Sequence, residues 1–138
     1  SPVPTAPNPS FVALAAIRRG SPPAVVASHN NTDLLSGLIN DGTGRFTAAP
    51  RSPYRLGSRA FTVADVNRDD NADLVAATGG GVVVLISDNG GFTVAGGSPF
   101  QAGPGAWNLA VGDLNEDRKP DIATSNVESD TVTVLLWK

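Results

Sequence analysis

The sequence predicts an all-β fold built from repeated antiparallel sheets, and three observations support this prediction. Short apolar runs alternate with frequent turns, because the 138 residues include 15 glycines and 11 prolines. No stretch keeps the 3.6-residue apolar period of a helix over three turns. A nine-residue polar loop at 65–73 returns at 113–121, starting 48 residues further along the chain (113 − 65).

The composition limits the classes of function that fit. Hydrophobic residues make up 41% and charged residues 17%, which is typical of a globular protein. The net charge is −3 and no basic patch is visible, so we expect no nucleic-acid partner. Cysteine is absent, which excludes disulfides and thiolate metal sites. No apolar run approaches the roughly 18 residues of a membrane-spanning helix, so we expect no membrane insertion. A chain that begins at Ser1 and contains no methionine predicts a processed or excised piece.

The predicted strands recur three times in the same order. First strands are predicted at 11–17, 61–65 and 108–113, second strands at 24–27, 73–76 and 121–124, and third strands at 33–39, 81–87 and 130–137. Turns rich in Asn, Asp and Gly follow the first two sets, and fourth strands begin at Phe46 and Phe92. The third set stops at Lys138, before a turn and a fourth strand.

Four-stranded sheets repeated every 46–49 residues or so are typical of β-propeller blades. The predicted divisions are an inter-blade segment at 1–10 that could complete a blade, blade 1 at 11–60, blade 2 at 61–107 and an incomplete blade 3 at 108–138. Apolar runs at 82–86 and 132–136 predict third strands that are covered on both faces. Three blades do not close a ring of about four to eight blades. We therefore expect either a homodimer, with segment 1–10 completing the partner's third blade, or the remainder of a longer propeller.

The repeated loop carries oxygen side chains at its positions 1, 3, 5 and 9. Oxygens at alternate positions of a tight loop suit a hard cation, and calcium fits better than magnesium, which prefers sites richer in water. An EF-hand is excluded, because position 12 is Ala76 or Thr124 and strands rather than helices flank the loop. A solvated acidic turn without metal is the alternative that the residues leave open.

Residues 64–75 and 111–123 resemble FG-GAP repeats, also called VCBS repeats. These repeats form the blades of integrin α-chain propellers, several lectins and many secreted bacterial proteins. The resemblance implies that the loop joins the first and second strands of a blade and binds a structural calcium ion. Positions 1, 3, 5 and 9 would bind through side chains and position 7 through its backbone carbonyl. The implied ligands are Asp65, Asn67, Asp69, Asn71 and Asp73 in one loop, and Asp113, Asn115, Asp117, Lys119 and Asp121 in the other.

The loops depart from the family pattern at position 6, where the family usually has glycine. Asp70 and Arg118 stand there, and Asp tolerates a left-handed backbone better than Arg does. Arg118 and Lys119 also bring positive charge to the second loop, so we expect the Asp65 loop to bind calcium more tightly. In the first repeat the ligand positions hold Ala16, Arg18, Gly20 and Ala24, which predicts no metal there.

In a propeller, the connections on the face opposite these loops are candidates for ligand binding. That face would gather His29, Asn30, Asn31, Tyr54, Arg59, Trp107, Asn126 and Glu128. Aromatic side chains beside amides and charges suit a sugar or a protein loop, while ordinary loop residues are the alternative. His29 has no visible partner for a triad or a metal site, and we expect it to be an exposed loop residue between second and third strands.

These observations predict a calcium-stabilised, non-catalytic binding or adhesion module that recognises a glycan or a protein. Free calcium is scarce in the cytoplasm, so the expected location is extracellular, cell-surface or periplasmic. One rival is the propeller of a polysaccharide-acting enzyme, against which stands the lack of an acid–base pair away from the loops. The other rival is a structural spacer within a larger surface protein.

Overall fold

A computed structural model describes residues 2–138, and within this range the fold consists of strands and connections without any helix. The all-β prediction is therefore confirmed. The strands are β1 (Pro9–Ala15), β2 (Ala24–His29), β3 (Leu34–Asn40), β4 (Phe46–Ala48), β5 (Tyr54–Arg55), β6 (Ser58–Ala64), β7 (Asp73–Thr78), β8 (Gly81–Asp88), β9 (Gly91–Val94), β10 (Ala106–Gly112), β11 (Asp121–Asn126) and β12 (Thr131–Leu135). Residues 2–138 contain no helix that is long and apolar enough to cross a membrane.

The strands form three antiparallel sheets in which neighbours along the chain are neighbours in space. Blade 1 has the order β1-β2-β3-β4, blade 2 has β6-β7-β8-β9, and blade 3 has β10-β11-β12. This arrangement agrees with partial propeller blades, the third lacking its fourth strand. The short strand β5 was not predicted. It forms because the connection after β4 turns back and pairs with Leu34 and Leu35 of β3.

The apolar core lies between blades rather than inside one sheet. Side chains alternate across a strand, so successive residues of β7 and β8 point to opposite faces of blade 2. One face packs against blade 1 through Leu74, Ala76, Val83 and Leu85. The other face, with Val75, Val82 and Val84, packs against Ile122 of blade 3. Full burial of one such side chain contributes about 1.5–3 kcal/mol, so these two contact layers account for most of the fold's apolar stabilisation.

The prediction of third strands covered on both faces is confirmed for β8 and is wrong for β12. Residues 81–85 of β8 are all buried. In β12, Val132 is 68% exposed and Val134 is also exposed. The physical reason is positional, because blade 2 has a blade on each side and blade 3 has a neighbour on one side only.

The first strand of each blade begins earlier than predicted, at Pro9, Ser58 and Ala106 instead of 11, 61 and 108. In each blade the pairing register with the second strand skips one residue near this start. A β-bulge of this kind places two residues opposite one and breaks the alternation of side chains. Because the alternation is broken there, the sequence pattern does not predict the first two or three residues of these strands.

Candidate functional site

The two candidate metal loops occupy equivalent places, since residues 65–72 join β6 to β7 and residues 113–120 join β10 to β11. The position 1 carboxylate organises each loop by accepting hydrogen bonds from its backbone. Asp65 accepts from the N–H groups of Asp69 (3.1 Å) and Asp70 (2.9 Å). Asp113 accepts from those of Asp117 (3.2 Å) and Arg118 (2.8 Å). The two loops therefore share one internal geometry.

Positions 3, 5 and 7 of the two loops are linked in the same way. The amide of Asn67 donates to the carboxylate of Asp69 at 3.0 Å, and Asn115 donates to Asp117 at 3.1 Å. The carboxylates of Asp69 and Asp117 in turn accept from the N–H of position 7, Asn71 or Lys119, at 2.8 Å in both loops. Positions 3, 5 and 7 are thus linked by the same hydrogen bonds in both loops.

Position 9 connects each loop to the body of its blade. Asp73 and Asp121 are fully buried. Asp73 accepts from the N–H of Val66 at 3.0 Å and from that of Ser87, at the end of the third strand, at 2.9 Å. Asp121 makes the corresponding bonds with the N–H groups of Leu114 (2.9 Å) and Trp137 (3.0 Å). Each carboxylate therefore ties its loop to the end of the third strand, at Ser87, or to the residues just after it, at Trp137.

The backbone of both loops is left-handed at positions 4 and 6. The φ angles are 65° at Arg68 and 67° at Asp70, and 61° at Glu116 and 65° at Arg118. A side chain in this region costs about 1–2 kcal/mol per residue. The hydrogen bonds from the loop backbone to the position 1 carboxylate offset that cost, so the loop holds its turn without glycine. Position 4 was not anticipated from the sequence.

The electrostatics of the Asp65 loop suit a cation. Burial raises the pKa of Asp73, the nearby charge of Asp69 raises it further, and hydrogen bonds from Ser87 and Val66 only partly compensate. For Asp69, desolvation raises the pKa, but hydrogen bonds from Asn71 and Asn67 outweigh it and leave the pKa below its ordinary value. A buried carboxylate whose charge is incompletely compensated is stabilised by a nearby positive ion.

The donor set of both loops consists of hard oxygen atoms, which are the ligands that calcium prefers. Within residues 2–138, no three His, Asp or Glu side chains already converge as a metal cluster. The carboxylates at positions 1 and 5 are instead engaged with loop N–H groups. The residues thus fit calcium in chemistry and order along the loop.

The blade 1 loop at residues 16–23, which lacks the ligand residues of the other two loops, packs against the Asp65 loop. The N–H of Arg19 donates to the side-chain oxygen of Asn71 at 2.9 Å, and the N–H of Ala72 donates to the carbonyl of Ala16 at 2.8 Å. The guanidinium of Arg19 pairs with the carboxylate of Asp70 at 3.1 Å. Both of these side chains are mostly exposed, so this ion pair contributes between about 0 and 1 kcal/mol.

At the other end of the first strands, a cleft of about 510 Å³ opens between the blades. Five residues from the predicted ligand face line it, namely His29, Asn30, Asn31, Arg59 and Trp107. The guanidinium carbon of Arg59 lies 5.1 Å from the centre of the Trp107 ring. A cation over an exposed aromatic ring is worth about 0.5–1 kcal/mol.

The expectation of an exposed loop histidine is wrong. His29 is the last residue of β2 and only 4% exposed. One ring nitrogen lies 2.9 Å from the carbonyl oxygen of Pro7, and the other lies 2.9 Å from the hydroxyl of Ser36. Thr78 and Asn126, the last residues of β7 and β11, are buried and hydrogen-bonded at the same register. These buried polar residues connect the end of the second strand to its surroundings, because Thr78 bonds to the turn that follows, Asn126 to the third strand, and His29 to the third strand and to the segment before β1.

Three other residues of the predicted ligand face lie outside this cleft. Tyr54 belongs to the core between blades 1 and 2, where its hydroxyl donates to the carbonyl of Pro50 and accepts from the N–H of Phe92. Its connection pairs with β3 and so turns the ring inward. Asn126 is buried at the end of β11, and Glu128 is exposed beside Gly105.

Several cleft residues escaped the sequence prediction, notably Ser10, Thr32 and Asp33. Thr32 and Asp33 belong to the turn after β2, which the prediction represented by its asparagines alone. Ser10 could have been found from the repeat itself, because it is the second residue of β1 as Arg59 is of β6 and Trp107 of β10.

Comparison with known proteins gives one match. Residues 65–124, which span both loops, match a family model described as an FG-GAP-like repeat. Neither the curated proteins nor the solved structures include a match to the chain. The matched stretch contains both hydrogen-bonded loops, the strands β7 to β10 and most of β11. Residues 65–124 therefore belong to the FG-GAP-like repeat family.

Proposed function

We propose that the chain is a calcium-stabilised binding module without catalytic activity, whose loops at 65–73 and 113–121 each hold one structural ion. The observation that carries the proposal is the repetition of one loop geometry, with a fully buried carboxylate at position 9 of both copies. Calcium bound through the oxygens of positions 1, 3, 5, 7 and 9 would neutralise the acidic loop. These residues themselves hold the first and second strands of the blade at a fixed turn.

Thermal unfolding in calcium and in chelator tests this proposal. Anything that binds only the folded state adds about 2.7 kcal/mol at a free concentration of 100 times its dissociation constant. We expect the melting temperature to rise by several degrees in millimolar calcium and to rise less in equimolar magnesium. Identical melting curves in calcium and in chelator would overturn the proposal.

The module would bind a glycan or a protein through the face that carries the cleft. Support comes from the half-exposed Trp107 and the exposed Arg59, which lie side by side in a concave surface. The cleft has a single carboxylate, Asp33, whereas glycoside hydrolysis generally uses a pair. This favours recognition over the rival of a polysaccharide-acting enzyme. A glycan array in calcium distinguishes them, since a lectin retains its glycan and an enzyme shortens it. A structural spacer would bind none.

Weak calcium sites fill only where free calcium is abundant, so the proposed setting is extracellular, cell-surface or periplasmic. In this setting the module would serve adhesion or recognition. Calcium titration followed by melting gives the dissociation constant. A constant in the micromolar to millimolar range supports this location, and a nanomolar constant contradicts the argument for it.

We also propose that the chain self-associates through the outer edge of β12. In blades 1 and 2, the connection to the next blade crosses the third strand at Leu35 and Val82, which are fully buried. The equivalent residue of β12 is Val132, which is exposed. The N-terminal segment resembles these connections in its backbone. Asn8, Gly57 and Gly105 each have a positive φ, and each is the residue just before the first strand of its blade. Segment 2–8 of a second copy is therefore the proposed occupant.

Light scattering tests the association, because a dimer has twice the monomer mass of 14.1 kDa. We expect Val132→Arg to give the monomer. Val94→Arg, at an exposed position of β9, is the control that should leave the dimer intact. A monomeric native chain would overturn self-association, and a longer propeller would then be the remaining way to cover β12.

A further inference from the structure

A β-bulge occurs at the same register in the first strand of every blade. Each of these strands pairs with the second strand of its blade, and each register skips one residue. The skipped residue is the second of its strand in all three cases: Ser10 in β1, Arg59 in β6 and Trp107 in β10. Bulges redirect side chains and are common beside functional sites.

The three redirected side chains meet at one place. Ser10, Arg59 and Trp107 all line the 510 Å³ cleft and also an adjoining cleft of about 280 Å³. Arg59 and Trp107 touch across the boundary between blades 2 and 3. One side chain from each blade therefore lies on a common surface, near the start of the first strands.

The blade itself does not require these residue types. Serine, arginine and tryptophan stand at equivalent positions, so the bulge accepts different sizes and charges. The residues opposite the bulges, His29, Thr78 and Asn126, meet the structural need for polar anchors. Within residues 2–138, Arg59 has no ion-pair partner, and Trp107 remains 53% exposed. A guanidinium without an ion-pair partner, next to an exposed indole ring, is a combination of groups that commonly contacts ligands.

We propose that this cleft binds a saccharide that carries a carboxylate, such as a uronic acid residue. The inference rests on the proposed function and specifies its ligand class. The guanidinium of Arg59 can hold a carboxylate with two parallel hydrogen bonds. The exposed part of the Trp107 ring packs against the apolar face of a sugar ring. The hydroxyl of Ser10 and the amides of Asn30 and Asn31 line the same cleft and match sugar hydroxyls.

The shape of the cleft favours a saccharide over a protein surface. Its volume lies within the roughly 300–1,000 Å³ that small-ligand sites occupy, and protein partners generally need a wider contact area. Its charged groups are Arg59 and Asp33, with the buried His29 tied to Pro7 and Ser36. Because Asp33 can accept hydrogen bonds from sugar hydroxyls, the cleft offers partners for both the acidic and the neutral parts of such a ligand.

Isothermal titration of the whole chain in calcium tests the proposal with two probes. One probe is a hyaluronan hexasaccharide, and the other is the same hexasaccharide with its carboxylates methyl-esterified. We expect the acid to bind at least tenfold more tightly than the ester, because a charge-assisted pair to Arg59 is lost in the ester. Arg59→Gln should remove this preference. Trp107→Ala should weaken both probes, and Arg55→Gln, an exposed arginine outside the cleft, should change neither.

The outcomes separate this inference from the proposed function. Equal binding of acid and ester, still sensitive to Trp107→Ala, would overturn the acidic ligand and leave a glycan-binding module. Binding of the acid that is unchanged in Arg59→Gln would place the carboxylate elsewhere and overturn the inference. Absence of binding to both probes would overturn the acidic-saccharide site, and a negative glycan array in addition would overturn glycan recognition. Circular dichroism of each variant verifies that it is folded.

Discussion

The Asp65 loop and the Asp113 loop have the same internal hydrogen bonds but different surroundings. At position 2, Val66 is 1% exposed and packs in the core between blades 2 and 3, whereas Leu114 is 56% exposed. The Asp65 loop also contacts the loop of blade 1, because the N–H of Ala72 donates to the carbonyl of Ala16. Position 8 of the other loop is Pro120, which has no N–H to donate. The local sequence therefore determines the hydrogen bonds within each loop, whereas the neighbouring blades determine how far the loop is buried and what it contacts.

The largest expected effect is on the buried carboxylates. Asp73→Ala leaves the N–H groups of Val66 and Ser87 without their acceptor, and we expect a loss of about 3 kcal/mol in the free energy of unfolding. Asp121→Ala should cost about half as much, because its partner Trp137 follows β12, which is exposed on one face, whereas Ser87 lies in β8, which is covered on both faces. Urea unfolding in chelator measures both, with the exposed Asp88→Ala as control. Equal losses would contradict the argument that the exposed face of β12 weakens the contribution of Asp121.

The next effect concerns calcium. Asp69→Ala and Asp117→Ala each remove the position 5 carboxylate from one loop. Saturating one site adds about 2.7 kcal/mol at 100 times the dissociation constant, so we expect each variant to lose part of the calcium-dependent rise in melting temperature. The loss should be greater for Asp69→Ala, because Arg118 and Lys119 weaken the other site. A greater loss for Asp117→Ala would reverse the predicted order of affinities.

Position 2 gives a smaller and metal-independent contrast. We expect Val66→Ala to cost about 2 kcal/mol, since it leaves a cavity between two blades. Leu114→Ala should stay within about 0.5 kcal/mol, since the side chain faces solvent. Both are measured by urea unfolding in chelator. A large cost at Leu114 would indicate that a partner covers this surface in solution.

The smallest expected effect is at the contact between blades 1 and 2. Arg19→Ala removes an exposed ion pair with Asp70, and the free energy of unfolding should change by less than about 0.5 kcal/mol. Removing a positive charge beside the Asp65 loop should also raise its calcium affinity slightly. Calcium titration of the variant checks the second point, and a weaker affinity would contradict the electrostatic argument.

Sequence reasoning found the strands and the loops but misplaced part of the ligand face. The repeat and its apolar periods located every strand except β5, whose two residues pair with β3 after the connection at 49–53. His29 and Asn126 were taken for loop residues because polar residues beside turns are usually exposed. The placement of Tyr54 on the ligand face was wrong for a related reason, because its segment pairs with β3 and its ring lies in the core. Local patterns do not contain this information.

By itself, the sequence determined the all-β class, the repeat and the two acidic loops. These follow from local chemistry, because alternate oxygens and backbone N–H groups a few residues apart close the same loop twice. The tertiary structure alone decided which copy is buried, as at Val66 and Leu114, and which side chains meet at the far end of the blades. Ser10, Arg59 and Trp107 are nearly 50 residues apart in succession, and only the stacking of three bulged strands brings them into one cleft.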